Sequence, residues 1–163
     1  LTWSSSSSIM TDYEQLKFEL YNIKKTSDSK IEWRFFDTSG NVISDNDYAY
    51  TGWNRQHDEN NSFTEFGNNN RGEFCFNDDA ASENLSGTIT VYDPFDATSS
   101  DGPIRVTWES IGTRMPAIHR QYYCVGAGMY HSDGTWTDKI TGIRLFSGTY
   151  TSGRIVVYGL KNS

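Results

Sequence analysis

Hydrophobic and polar residues alternate along most of this chain. Every second residue is apolar in segment 16–20, and segment 31–35 repeats the pattern. Because successive side chains of a β-strand point to opposite faces, this period of two predicts strands that are buried on one face. The run 88–92 has high β-propensity and predicts another strand, which Asp93 and Pro94 end.

Turn residues separate these segments and set their number. Clusters of Gly, Asn, Asp and Ser divide the chain into roughly nine or ten strands spaced about 8–12 residues apart, which is typical of a β-sandwich or barrel. The remaining predicted strands are 42–43, 48–50, 72–77, 104–109, 117–125, 139–146 and 154–160. Residues 54–71 are almost wholly polar and predict a long exposed loop, interrupted at most by a short segment at Phe63 and Phe66.

The length favours one domain. A chain of 163 residues can bury a core without disulfides or metals, and no internal repeat or linker divides it. We expect a single all-β domain over residues 1–163, with a short Ser-rich N-terminal arm at residues 1–10. Aromatic residues make up 15% of the chain, so we expect a core built more from rings than from aliphatic side chains. Trp33 and Trp108 alternate with polar residues on predicted strands and are assigned to that core.

Charge and hydropathy exclude two classes of partner. The formal net charge is −7, which repels phosphate backbones, and the densest basic group is only Lys24 and Lys25. We therefore expect no nucleic-acid binding. No stretch approaches the ~20 apolar residues that a membrane-spanning helix needs, so we expect no membrane partner either.

No catalytic motif is present in the sequence. The chain lacks a G-x-S-x-G elbow, a phosphate-binding Gly loop and an H-E-x-x-H pair, and its histidines at 57, 119 and 131 are scattered. A β-sandwich glycosidase needs a pair of carboxylates beside its substrate, and no two carboxylates share one face of a predicted strand. We therefore expect a protein that is not an enzyme and needs no cofactor.

Acidic turns are weak candidates for a metal site. Carboxylate oxygens in turns can bind Ca²⁺. The candidate ligands are Asp45, Asp47, Asp78 and Asp79. Turns favour the same residue types without any metal, and the EF-hand spacing is absent, so no metal is assigned. Cys75 and Cys124 lie in predicted strands, where a small buried side chain is the favoured interpretation and a disulfide stays open.

Aromatic residues near predicted loops are the candidates for a binding surface. Trp53 lies beside Gly52, and Trp136 lies close to Gly134. The full set of interface or glycan-stacking candidates is Tyr48, Tyr50, Trp53, Arg55, Tyr130 and Trp136. Trp, Tyr and Arg dominate protein interfaces, and exposed rings can also stack on sugars. We favour a contact with another protomer over a glycan.

The C-terminal residues resemble a known group of proteins. Residues 140–148 and 153–160 read I-T-G-I-R-L-F-S-G and G-R-I-V-V-Y-G-L. An I-x-x-I strand that ends in S-G, followed after a Gly-containing connection by a G-x-I-x-V-Y-G strand, resembles a closing hairpin of tailed-bacteriophage virion proteins. Segments 16–23 and 31–36, with the turn at Gly40, are compatible with the same group.

The resemblance implies a fold and a role. It implies an antiparallel, jelly-roll-like β-sandwich located in the virion, most simply a capsid decoration (cement) protein. The expected partners are further copies of the chain, in a homotrimer, and the major capsid or tail protein. The alternative is a glycan-binding module, or a tail-fibre, receptor-binding domain, that recognises a host-surface glycan. The matching residues cover only the last two predicted strands and contain no catalytic motif.

Overall fold

Every secondary-structure element in the described part of the chain is a strand. The computed structural model describes residues 2–4, 13–25, 31–37, 39–44, 46, 48–56, 62–75, 84–94, 104–114, 120–130, 140–146 and 149–161. The strands are β1 (Thr2–Ser4), β2 (Tyr13–Lys25), β3 (Ile31–Phe36), β4 (Tyr48–Gln56), β5 (Ser62–Asn69), β6 (Gly72–Cys75), β7 (Asn84–Tyr92), β8 (Ile104–Arg114), β9 (Arg120–Tyr130), β10 (Gly142–Phe146) and β11 (Tyr150–Lys161). These residues include no helix long and apolar enough to cross a membrane.

The strands form two antiparallel sheets that enclose one hydrophobic core. The large sheet has seven strands in the order β11-β2-β7-β8-β9-β4-β5, and the small sheet has four in the order β1-β10-β3-β6. One continuous cluster of buried apolar residues draws on both sheets. This arrangement confirms the predicted all-β sandwich and follows from strands that are apolar on one face.

The strand order supports the jelly-roll part of the prediction. A jelly roll whose eight strands are lettered B to I has sheets in the orders B-I-D-G and C-H-E-F. If β1 to β7 are strands B to H and β10 is strand I, the small sheet is B-I-D-G. The large sheet is then C-H-E-F, with the β8–β9 hairpin inserted between H and E and with β11 added outside C. Handedness of the crossings completes the definition, so the jelly roll stays a prediction.

Two tryptophans mark the centre of the core. Trp33 of the small sheet meets Trp108 of the large sheet edge-on, with ring centroids 6.3 Å apart. Each ring lies over a glycine: a Cβ atom at Gly126 would lie 2.2 Å from Cζ2 of Trp108, and one at Gly72 would lie 2.0 Å from Trp33. The core positions predicted for both tryptophans are confirmed. Among the described buried residues, however, aliphatic side chains outnumber aromatic ones. The expectation of a core built more from rings than from aliphatic side chains is therefore wrong for the count of residues.

Two tyrosine hydroxyls tie the sheets together inside the sandwich. The Tyr48 hydroxyl of β4 accepts the Phe35 N–H of β3 at 3.0 Å and donates to the Ile43 carbonyl at 3.2 Å. The Tyr150 hydroxyl of β11 donates to the Phe146 carbonyl of β10 at 3.0 Å. Burial raises the pKa of Tyr150 well above its usual value, so this donor keeps its proton.

Most of the described residues within 54–71 belong to strands, which corrects the sequence prediction of a long loop. Strand β4 continues to Gln56, and β5 pairs with it in antiparallel register, with Thr51 opposite Glu65 and Trp53 opposite Phe63. Polar side chains are compatible with a strand at the edge of a sheet, because the backbone provides the pairing and one face meets water. Composition alone therefore hid this hairpin.

Both ends of the chain also differ from expectation. Part of the predicted N-terminal arm, Thr2–Ser4, forms β1 and pairs with β10. The predicted closing hairpin is not a hairpin: β10 pairs with β1 and β3 in the small sheet, whereas β11 pairs with β2 in the large sheet. Ile143 and Leu145 of β10 are buried in the core, so the position of β10 in the small sheet buries its apolar face. The chain then crosses to the large sheet, where it forms β11.

Candidate functional site

The outer face of the large sheet, the side turned away from the small sheet, carries several exposed apolar side chains. Cross-strand register aligns Glu109, Val125 and Trp53 in one row on this face. The large apolar residues exposed among those described are Tyr21, Ile111, Val125, Met129, Tyr158 and Leu160. A sheet face that only meets water is normally polar, so this composition marks the face as a candidate binding surface.

A groove crosses this face between β2, β7 and β8. It is open to solvent and has a volume of about 340 Å³, and the residues along it include Glu19, Tyr21, Ser86, Thr88, Glu109 and Ile111. The groove exists because β7 presents small residues between longer ones: Thr88 lies opposite Glu19 on one side and opposite Glu109 on the other. Its volume falls at the low end of the roughly 300–1,000 Å³ that small-molecule sites occupy. We call this feature the β7 groove.

Hydrogen bonds hold Glu19 in place on the β2 side of the groove. The Tyr21 hydroxyl donates to one carboxylate oxygen, and the Lys17 ammonium lies 2.9 Å from the other. These two donors lower the pKa of Glu19, with the Tyr21 hydrogen bond as the larger cause, and the same bond raises the pKa of Tyr21. Glu19 therefore stays ionised at neutral pH and is an acceptor, not a proton donor. The Arg154 guanidinium lies 4.8 Å from the Tyr21 ring centroid and approaches from β11, on the side away from the groove.

Glu109 has a tyrosine partner on the β8 side. A hydrogen bond to Glu109 raises the pKa of the Tyr123 hydroxyl, which lies on the adjacent strand β9. Tyr123 in turn meets Trp53 edge-on, with ring centroids 6.4 Å apart. Each carboxylate of the groove thus has a tyrosine as a hydrogen-bond partner. A site of this kind can bind donors, since ionised oxygens keep acceptor capacity beyond one hydrogen bond.

Three of the predicted surface rings lie in the core, which corrects their assignment. Tyr48, Tyr50 and Tyr130 are 0%, 5% and 2% exposed, so none can stack on a sugar or enter another protomer. Tyr48 and Tyr130 pack on each other with centroids 5.1 Å apart. These residues lie on the inner face because they share the side of β4 and β9 that packs on the small sheet.

The other predicted site residues divide between the outer face and the undescribed segments. Trp53 and Arg55 lie on the outer face, where Trp53 is partly exposed and Arg55 exposed. Trp136 and the four calcium candidates, Asp45, Asp47, Asp78 and Asp79, lie outside the described residues. Within the part of the chain that is described, no three His, Cys, Asp or Glu residues group to hold a metal. Cys124 is buried as predicted, and the side chain of Cys75 is not described.

Sequence reasoning missed the two glutamates of the β7 groove. The alternation along a single strand can only pair carboxylates of that strand, whereas Glu19 and Glu109 lie in one row of the sheet on either side of Thr88. No signal in the sequence joins positions 90 residues apart until strand order is known. Comparison with known proteins does not supply the link: no family model, no curated protein and no solved structure matches this chain.

Proposed function

We propose that this protein is a structural component of a bacteriophage virion, a capsid decoration protein that acts through protein–protein contacts, first of all with further copies of itself. The role requires neither catalysis nor a cofactor. The alternative is that the protein is a tail-fibre or receptor-binding domain, located in the tail. The resemblance of residues 140–148 and 153–160 to virion proteins motivates the virion assignment.

One observation carries the self-association: β11 is a long edge strand with one uncovered side. It pairs with β2, and among the described strands none pairs with its other side. Most of its residues are exposed, and Tyr158 and Leu160 are 50% and 59% exposed. An uncovered edge offers unpaired backbone N–H and C=O groups to a strand of another chain.

The protection that edge strands usually carry is confined to the ends of β11. Register shifts interrupt the pairing between Tyr150 and Arg154, and Lys161 closes the strand. Between these ends, residues 155–160 run in regular register and contain neither a charge nor a proline. Bulges and charges are the features that prevent edge pairing, so their absence from the middle of β11 favours pairing with a second copy.

Absolute mass by light scattering on a sizing column tests self-association. The resemblance to virion proteins implies a homotrimer, so we expect a mass close to three times the 18.5 kDa of one chain. A mass of twice 18.5 kDa would instead indicate that β11 pairs with β11 of a single second copy. Leu160→Lys places a charge on the β11 edge and should reduce the mass toward that of a monomer. Met129→Lys is the matched control, because it makes the same change at an exposed apolar residue of β9, away from the edge. A wild-type protein that stays monomeric at high concentration contradicts the proposal.

Co-sedimentation with purified particles tests the virion assignment. The full chain is mixed with capsids and, separately, with tails of the phage whose genome encodes it. Retention by capsids supports decoration, and retention by tails alone supports the alternative location. Binding to neither, with a protein that is folded and oligomeric, contradicts the virion role but not the self-association.

A further inference from the structure

The β7 groove has the features of a small polar site and does not depend on the proposed role in a virion. Its floor is the hydroxyl side chains Ser86 and Thr88, and its walls are Tyr21 with Glu19 on β2 and Ile111 with Glu109 on β8. Tyr21 and Ile111 are 37% and 56% exposed, so both offer apolar surface to a ligand. The groove thus places apolar walls beside fixed acceptors.

From this arrangement we propose that the β7 groove binds a neutral saccharide. Sugar hydroxyls are hydrogen-bond donors that match the Glu19 and Glu109 carboxylates, and the C–H faces of a sugar ring match Tyr21 and Ile111. Hydrogen bonds to ionised acceptors are roughly twice as strong as those between neutral groups, so the two carboxylates supply most of the recognition. An acidic sugar gains nothing from the groove, because its carboxylate or sulfate groups are acceptors like those of Glu19 and Glu109 and cannot donate to them.

A cationic ligand fits the groove less well. Lys17 lies 2.9 Å from Glu19 and already balances its charge, and Arg154 lies on the far side of Tyr21. The net attraction that remains for another ammonium or guanidinium group at this wall is therefore small. Tyr21, Lys17 and Tyr158 already donate to the Glu19 carboxylate, which has about four acceptor positions, so about one stays open to a sugar hydroxyl.

The two glutamates are positioned before binding. Each accepts a hydrogen bond from a tyrosine on its own or the neighbouring strand, Tyr21 for Glu19 and Tyr123 for Glu109. The site lies on regular, paired strands and not on loops. Ligand binding therefore requires little ordering of side chains, which reduces its entropic cost.

Binding is tested with the full chain against defined probes. An array of neutral and acidic oligosaccharides selects the sugar, and calorimetry with maltohexaose, cellohexaose, mannohexaose and hexalysine measures affinity. Thr88→Phe fills the groove floor, and Glu109→Gln replaces one carboxylate with an amide of nearly the same shape. We expect each variant to weaken binding of the neutral hexasaccharide by at least about tenfold. Thr90→Phe is the matched control, because Thr90 lies on the same face of β7 outside the groove lining and should keep wild-type affinity.

Three results would overturn the inference. One is that no neutral oligosaccharide binds the folded wild type. Another is that Thr88→Phe and Glu109→Gln both bind as tightly as the Thr90→Phe control. The last is that hexalysine alone binds and loses affinity in Glu109→Gln, which makes the groove a site for cationic peptides. Because Leu160→Lys changes only the edge of β11, loss of oligomers with intact sugar binding separates this inference from the proposed function.

Discussion

Glycine at position 126 is required by a ring on the neighbouring strand. The Trp108 side chain occupies the space where a Cβ atom of residue 126 would lie, and the Thr51 carbonyl lies 2.7 Å from the same point. Position along the strand also decides that Tyr48 and Tyr50 face the core whereas Trp53 faces outward. In an uninterrupted strand, even and odd positions face opposite sides, so these rings could not share one platform. The sequence predicts a strand only over 48–50, whereas β4 continues to Gln56 and carries the alternation through Trp53.

Gly126→Ala should lower the free energy of unfolding by about 1–3 kcal/mol or more, because the added methyl overpacks the Trp108 ring and the backbone. Chemical denaturation followed by tryptophan fluorescence measures the change. Ala127→Val is the control: it adds volume at the next residue, which is exposed on the outer face, and should change stability by no more than about 0.5 kcal/mol. Equal effects of both substitutions would contradict the packing argument.

At the scale of elements, strand positions follow from sequence but strand partners do not. Alternation placed β2, β3, β7 and β8 correctly in outline, because each has one buried face. It could not reveal that β10 and β11 belong to different sheets. Turns are more local: the Asp37 carboxylate accepts N–H groups from Ser39 and Asn41, each at 2.8 Å, and fixes the turn that follows β3.

The Asp37 turn should make stability depend on pH in the acid range. The backbone hydrogen bond from Asn41 is the main reason that the pKa of Asp37 lies below its usual 3.8. A carboxyl whose pKa is lower in the folded state binds its proton more readily when unfolded, so stability from this group is complete above that usual value and is lost as pH falls through the lowered pKa. Unfolding titrations between neutral pH and about pH 2 should show a smaller decrease for Asp37→Ala than for wild type. Equal decreases would show that Asp37 is not a source of the acid sensitivity.

At the scale of the whole molecule, the two sheets are joined by packing and by a few buried hydrogen bonds. The Tyr48 hydroxyl supplies the most central of these, since it serves a donor of β3 and a carbonyl at once. The candidate site also belongs to this scale. Glu19 and Glu109 are placed by the order β2-β7-β8, and nothing in composition or spacing encodes that order.

Tyr48→Phe should destabilise the protein by about 1–3 kcal/mol, because the buried Phe35 N–H and Ile43 carbonyl lose their partner while the ring volume is kept. Thermal and denaturant unfolding measure the effect. Tyr158→Phe removes a hydroxyl from a ring that is 50% exposed and should change stability by no more than about 0.5 kcal/mol. If Tyr48→Phe is as stable as this control, the Tyr48 hydroxyl does not contribute measurably to holding the two sheets together.

The inserted hairpin has a consequence for how this protein can evolve. Along β8, Val106 and Trp108 face the core, whereas Glu109 and Ile111 face the groove. If the β7 groove binds a saccharide as proposed, mutations that change ligand preference and mutations that change folding fall on different residues of one strand. Selection can alter recognition at Glu109 or Ile111 while Val106 and Trp108 preserve the folded state. Lineages carrying this hairpin should diversify their outer residues faster than their inner ones.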